Sequence, residues 1–252
     1  MTGSFDAHPM EAMPMNRLNV LLTLSSLNVL LVTIERFSFT TQVILQPYSF
    51  LRLHEVFQIA TLILFTVLIP TFVLREVTHD FDTLKNRAGM LLLVGFVTGI
   101  YFYATGNGIH ELASFQYNTF CPTTDGNPSV MCQGMFFNDY YFGNGLYFVG
   151  AFLMNTALIV LEGIRPLAPA SRRDMIITTV NALVYALAII AYAAFDLVVV
   201  GLVFTLISMF TIDLLLWRAK QPIVTRPFTY YAAVAYTIGG ILGIALRFGL
   251  RR

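Results

Sequence analysis

The sequence predicts an all-α protein, a polytopic transmembrane helical bundle with about seven spans. Hydrophobic residues make up 57% of the 252 residues and charged residues only 12%, with a mean hydropathy of +0.71, whereas about a quarter of a soluble domain is charged. Seven apolar runs approach the roughly 20 residues that cross a bilayer. None alternates with a period of two residues, so we expect helices rather than barrel strands, because backbone groups in lipid must be paired within the structure.

The spans are placed where each apolar run begins and ends. In chain order they cover residues 18–34, 56–75, 89–109, 145–162, 175–195, 197–217 and 228–248. No positive charge precedes Arg17, and the first run has no small-residue cleavage pattern, so a cleaved signal peptide is not expected. We expect residues 1–252 to form a single integral-membrane domain, with residues 105–144 as a cap on its outer side.

The distribution of Lys and Arg predicts the orientation. With the N-terminus in the cytoplasm, ten of the 15 Lys and Arg lie on the inner side and five on the outer side, and positive residues favour the cytoplasm. The segment 105–144, which contains no Lys or Arg, is then extracytoplasmic. This orientation places three C-terminal arginines on the outer side, against the positive-inside rule: Arg247, Arg251 and Arg252. Either a half-helix within residues 40–53 changes whether the number of crossings is odd or even, or these arginines contact the outer lipid headgroups or a partner protein.

Both cysteines of the chain lie in the predicted outer loop. Cys121 and Cys132 are 11 positions apart, a spacing that suits a disulfide closing a small turn. Such a disulfide stabilises by about 2–3 kcal/mol in the loop-entropy model and needs an oxidising compartment, which agrees with an outer location. Two free thiols are the alternative. The spacing fits neither a Cys-x-x-Cys redox pair nor a zinc finger.

Several ionisable side chains fall at the outer ends of different spans. They are Glu35, His54, Glu55, His110, Glu111, Asp139 and Asp196. Ionisable groups at the edge of a bilayer are costly and usually functional, and imidazole together with carboxylate suits zinc, iron, manganese or copper. We therefore predict a divalent metal site.

The predicted roles follow from the chemistry of these side chains. The metal ligands are His54, His110 and Asp139, and the candidate general bases acting on metal-bound water are Glu55 and Glu111. Glu35 and Asp196 complete the polar cluster. Neighbours on a helix point about 100° apart, so at most one residue of each His-Glu dipeptide should address a given pocket.

A simpler interpretation of the same residues is also open. Glu55 would complement the dipole of a helix that begins there, and Asp139 would serve as a helix N-cap. Aromatic residues near the third and fourth spans either line a pocket for a long apolar ligand or pack normally. They are Tyr101, Phe102, Tyr103, Tyr147 and Phe148.

The leading hypothesis is an integral-membrane enzyme, a hydrolase or oxidoreductase, that acts on a lipid, isoprenoid or quinone-like substrate. The substrate class follows only from the position of the site in the bilayer. One alternative is a non-catalytic membrane subunit that docks onto a membrane-protein partner through its aromatic cap. Another is a small transporter or channel, which a continuous polar path across the spans would favour. No feature of the sequence indicates nucleic-acid binding.

Overall fold

The structure, a computed structural model, describes residues 15–47, 49–121 and 129–249. These residues contain seven helices that are long and apolar enough to span a membrane. They are α1 (Met15–Glu35), α2 (Leu53–Val77), α3 (Arg87–Phe120), α4 (Val130–Ile164), α5 (Arg172–Phe195), α6 (Val200–Arg218) and α7 (Pro227–Gly249). The same residues form no strand, apart from a single bridge between Ile44 and Arg52. The predicted all-α bundle with seven spans is confirmed.

Side chains fix the starts of two helices at the end of the bundle that is predicted to face the cytoplasm, which we call the inner end, the opposite end being the outer end. Ser171 and Asp174 form a capping box at the start of α5. At the start of α7, the buried Glu162 carboxylate accepts hydrogen bonds from the backbone N–H groups of Phe228 and Thr229, at 2.9 and 2.8 Å. These contacts satisfy N–H groups that have no partner within the helix. They anchor α5 and α7, which pack along each other.

The segment 105–144, predicted as a loop, is mostly helical. Helix α3 continues to Phe120, well beyond the predicted end at residue 109, and α4 already begins at Val130. The predicted disulfide between Cys121 and Cys132 is present and joins these two helix ends. The apolar run ends early because polar residues follow it, but His110 and Glu111 contact neighbouring helices of the bundle, and the helix continues past them to the exposed Asn118 and Thr119. Residues 122–128 lie outside the described residues.

Glycines allow α3 and α4 to lie very close together. A Cβ atom added to Gly106 would lie 2.3 Å from the backbone nitrogen of Tyr147, and one added to Gly143 would lie 2.9 Å from that of His110. Small residues permit such close approach between helices in membranes. The outer halves of α3 and α4 are therefore in backbone contact.

The outer end of α7 bears on the orientation of the chain. The buried Arg247 guanidinium donates hydrogen bonds to the carbonyl oxygens of Ala193 and Asp196, both at 3.1 Å, and so caps the end of α5. The described part of residues 40–53 contains the short 3₁₀ helix Phe39–Gln42 and the start of α2, but no half-helix. Arg247 thus has a structural role, while Arg251 and Arg252 lie outside the described residues. Which side faces the cytoplasm stays a prediction.

Candidate active site

Helices that begin or end on the outer side bring their ionisable residues into one place. A continuous chain of side-chain contacts runs across the ends of four spans, and we call it the outer network. It consists of Glu35, His54, Glu111, Arg36, His110 and Asp139, in the order of contact. Most of these residues were predicted to cluster from the sequence, and the structure brings them together.

One half of the outer network is buried away from solvent. His54 lies between two carboxylates, with Nδ1 facing Glu35 and Nε2 3.5 Å from a carboxylate oxygen of Glu111. The Gln58 side-chain amide donates a hydrogen bond to the Glu35 carboxylate at 3.1 Å, and the Thr40 hydroxyl donates another. Both ring nitrogens of His54 therefore have anionic partners, and buried charges need such pairing.

The other half reaches the surface through Arg36. An Arg36 Nη2 atom lies 3.5 Å from Glu111 Oε1 and 3.1 Å from His110 Nε2, and His110 Nδ1 lies 2.6 Å from Asp139 Oδ1. Because a guanidinium can only donate, Nε2 of His110 is the acceptor and Nδ1 carries the proton toward Asp139, a tautomer assigned from these partners. In the neutral form of His110 the lone pair is therefore at Nε2, which faces Arg36.

Asp139 is fully buried. It lies in a π-helical turn, Asn138–Gly143, inserted into α4, and such turns are frequent at functional sites. The contact of its Oδ1 with His110 is close but off-axis, and neither carboxylate oxygen has a well-aligned hydrogen-bond donor among the described residues. A buried carboxylate with spare acceptor capacity is ready to stabilise a charged imidazole or a ligand proton.

A cavity of about 560 Å³ opens beside the network, within the range of small-molecule sites. At its outer end lie Arg36, His110, Glu111, Asp139 and Asp196. Both His110 and Glu111 line it, so the expectation that only one of the two would face a given pocket was wrong for this pair. The reason is that Arg36 sits between them and contacts both side chains.

Two kinds of surface line the rest of the cavity. Its deeper walls are aromatic and include Tyr103, Tyr147, Phe148 and Tyr192. Near the outer end, burial raises the pKa of the Asp196 carboxyl; the nearby Asp139 adds to this rise, and His110 opposes it. The cavity therefore joins a charged outer end to an aromatic interior.

Three predicted residues, Glu35, His54 and Glu55, take positions away from the cavity lining. Glu55 is fully buried, and Arg52 pairs with it through both the backbone N–H and the guanidinium. The Glu55 carboxylate thus accepts the N–H of the residue that precedes α2, which is one half of a capping box and agrees with the helix-capping interpretation. Glu35 lies behind His54. The catalytic role assigned to Glu55 stays a prediction.

The arrangement of donors gives the metal site no support. Among the described residues, no group of three or more His, Cys, Asp and Glu side chains could hold a metal ion. At His110, the Arg36 guanidinium takes the position from which a metal ion would approach Nε2. Both nitrogens of His54 already face carboxylates.

Sequence reasoning missed the role of Arg36, which was counted only as a topological charge. Its position directly after Glu35, at the end of a span, is a signal that could have indicated an ion pair at the end of the bundle. Of the aromatic residues singled out, Tyr103, Tyr147 and Phe148 line the cavity, whereas Tyr101 is 66% exposed on the outside of the bundle.

The geometry as a whole suits proton transfer. It combines a histidine, a buried carboxylate behind it, a cation beside it and a cavity in front. No protein-family model matches the chain, and no curated protein or solved structure is significantly similar to it. Function therefore follows from the residues of this site alone.

Proposed function

We propose that this protein is an integral-membrane enzyme in which His110 acts as a general base on a lipid, isoprenoid or quinone-like substrate. The observation that carries the proposal is the buried pair of Asp139 and His110 at the mouth of the large cavity. A carboxylate behind a histidine fixes the tautomer and stabilises the imidazolium that forms. When the half-exposed Arg36 side chain turns away from Nε2, the lone pair of His110 would be free to accept a proton from the substrate, or from a water molecule that attacks it.

Arg36 supplies the positive charge next to this base. Its side chain is about half exposed (49%) and touches both His110 and Glu111. An anion that develops on the substrate beside Nε2 would be stabilised by this guanidinium. Glu111 holds Arg36, and His54 in turn holds Glu111, so these two act as positioning residues.

The shape and location of the cavity support an amphipathic substrate. Its charged end lies at the outer ends of the spans and its aromatic end lies deeper in the bundle. A molecule with a polar group and an apolar body would satisfy both ends. Isomerisation and hydrolysis both begin with the proton transfer described here, and oxidoreduction remains open as a third class.

Two finer predictions are carried forward as proposals. The outer network lies on the extracytoplasmic side, supported by the excess of Lys and Arg at the opposite ends and by the disulfide. A divalent metal such as zinc, iron, manganese or copper stays a prediction, and the proton-transfer proposal does not depend on it.

Polar residues between α1 and α5 give the transporter alternative little support. Asn19 donates a hydrogen bond to Asp174 at 2.8 Å, and Asn181 donates one to Thr23 at 2.8 Å. None of the four lines either cavity. They are paired with one another, as expected for packing contacts between helices in a membrane.

The proposal is tested by comparing the lipids of cells that express the protein and its His110→Gln variant. His79→Gln is the matched control, because His79 lies at the inner end and contacts a backbone carbonyl there. Mass spectrometry of the extracted lipids should reveal at least one species that changes with the protein and with the control but not with His110→Gln. Identical lipid profiles for all three proteins would overturn the proposal.

A further inference from the structure

A second cavity lies at the deep end of the first one. It has a volume of about 50 Å³ and is enclosed by residues near the centre of the bundle. Tyr103 and Tyr185 line both cavities and form the boundary between them. The route from the outer network into the bundle therefore ends in a mostly apolar pocket that contains a few hydroxyl and amide groups.

Three polar side chains that line this pocket already have hydrogen-bond partners. The Tyr231 hydroxyl pairs with Ser26 at 2.9 Å, and the Asn155 amide donates to the Tyr236 hydroxyl at 3.3 Å. Tyr185 differs, because its hydroxyl forms no hydrogen bond with another described residue. An unsatisfied hydroxyl in a buried, apolar region costs free energy. A hydrogen-bonding ligand atom would satisfy it.

The walls between the two ends of the cavity are aromatic, and neighbouring rings are tilted toward one another. The rings of Tyr103 and Tyr147 are 4.8 Å apart, those of Tyr147 and Phe148 4.6 Å, and those of Phe148 and Tyr192 4.9 Å. Aromatic rings pack well against other planar groups. This surface favours a flat ring system over a flexible acyl chain.

The distance between the two ends can be read along helix α3, which carries His110 at the outer end and Tyr103 at the boundary of the two cavities, where Tyr185 also lies. Tyr103 and His110 lie on the continuous helix α3, and their seven-residue separation corresponds to about 10 Å along its axis. A ligand that meets both ends needs polar atoms at least this far apart. A phospholipid or fatty acid has polar atoms at one end only.

We infer that the cavity binds a flat, elongated compound with an oxygen function at each end, and that Tyr185 donates a hydrogen bond to the oxygen at the buried end. The inference rests on the proposed function for the other end, where the reacting group meets His110. It narrows the substrate to polycyclic or ring-bearing isoprenoids and related compounds with two oxygen functions. Single-headed lipids are thereby excluded.

Two rigid aromatic probes test this geometry. The first, 4,4′-dihydroxybiphenyl, carries an oxygen at each end, and the second, 4-hydroxybiphenyl, lacks one of them. Equilibrium dialysis against the full chain in nanodiscs, corrected with empty nanodiscs, measures both dissociation constants. We expect the first probe to bind about tenfold more tightly, the effect of one or two buried hydrogen bonds. Equal affinities, or no saturable binding, would overturn the inference.

Two substitutions test whether the Tyr185 hydroxyl causes the tighter binding of the first probe. Tyr185→Phe removes only the hydroxyl and should make the two affinities equal, while thermal unfolding checks that the variant is folded. Tyr101→Phe is the matched control, since Tyr101 is exposed on the outside of the bundle, and it should keep the preference. If Tyr185→Phe also keeps it, the hydroxyl serves a water molecule only and the inference fails. That result would leave the lipid comparison with His110→Gln unaffected, so the two proposals fail separately.

Discussion

His110 Nδ1 lies 2.6 Å from Asp139 Oδ1, although the two residues belong to different spans and are 29 positions apart. The contact exists because the backbones of α3 and α4 touch at Gly106 and Gly143, where a Cβ atom would not fit. The π-helical turn Asn138–Gly143 places Asp139 on the side of α4 that faces α3. Close helix packing and one irregular turn therefore create the pair.

Gly106→Ala tests this packing. The added methyl group would collide with the backbone of Tyr147, and overpacking of this kind costs about 1–3 kcal/mol. We expect a lower unfolding temperature in detergent and a loss of the His110–Asp139 geometry. Gly108→Ala is the control, since a Cβ at Gly108 meets nothing within 4 Å. Equal stabilities of the two variants would contradict the close-packing account.

His54→Gln tests the buried half of the outer network. Without the imidazole, the carboxylates of Glu35 and Glu111 face each other in a buried site, and leaving a buried charge unpaired costs about 3–5 kcal/mol. Thermal unfolding should show a large destabilisation, and the double variant His54→Gln/Glu111→Gln should recover part of it. If the double variant is as unstable as the sum of the single variants, the two residues are not coupled.

The inner end offers a test by pH. Hydrogen bonds from Lys85, and then from Arg165, lower the pKa of the exposed Asp82 carboxyl below its usual value. Because the pKa of Asp82 is lower in the folded than in the unfolded protein, its ionised carboxylate stabilises the fold at pH values above the unfolded-state pKa, near 4. This stabilisation is lost as the pH falls through the folded-state pKa. Asp82→Asn should therefore lower the unfolding temperature at pH 7, by an amount that shrinks in acid. A deficit that is equal at both pH values would point to a cause other than charge.

Elemental analysis tests the metal prediction made from the sequence. Because Arg36 occupies the approach to His110 Nε2 and both nitrogens of His54 face carboxylates, we expect no stoichiometric zinc, iron, manganese or copper in the purified protein. Loading with each metal before the measurement is the control. A near-stoichiometric metal that disappears in the variant His54→Ala/His110→Ala would restore the metal site and require Arg36 to move.

The spans and the disulfide could be predicted from the sequence because each depends on local properties. The length of an apolar run must match the hydrocarbon thickness of the bilayer, so the spans can be recognised. The two cysteines are close along the chain, so their disulfide can be expected. The clustering of His54, His110 and Asp139 at one membrane level could be predicted as well, since topology alone brings the outer ends of the spans together.

Which of these ionisable side chains contact each other could not be predicted. Whether His110 meets Asp139 or Glu35 depends on helix rotation and on the π-helical turns at Gln58–Leu62 and Asn138–Gly143, which leave no local pattern in the sequence. The length of α3 was missed for a related reason. Polar residues after position 105 resemble the start of a loop until their partners inside the bundle are known.

The most direct test of the account is the reaction of the purified protein in nanodiscs made from the lipids of its expression host. Incubation in D₂O followed by mass spectrometry reveals any lipid that gains deuterium or changes mass. We predict such a species for the unmodified protein and for His79→Gln, with a rate about 10²- to 10⁴-fold lower for His110→Gln, the usual contribution of a general base, and a marked reduction for Asp139→Asn. An unchanged rate in His110→Gln, or the absence of any converted lipid, would contradict the central claim.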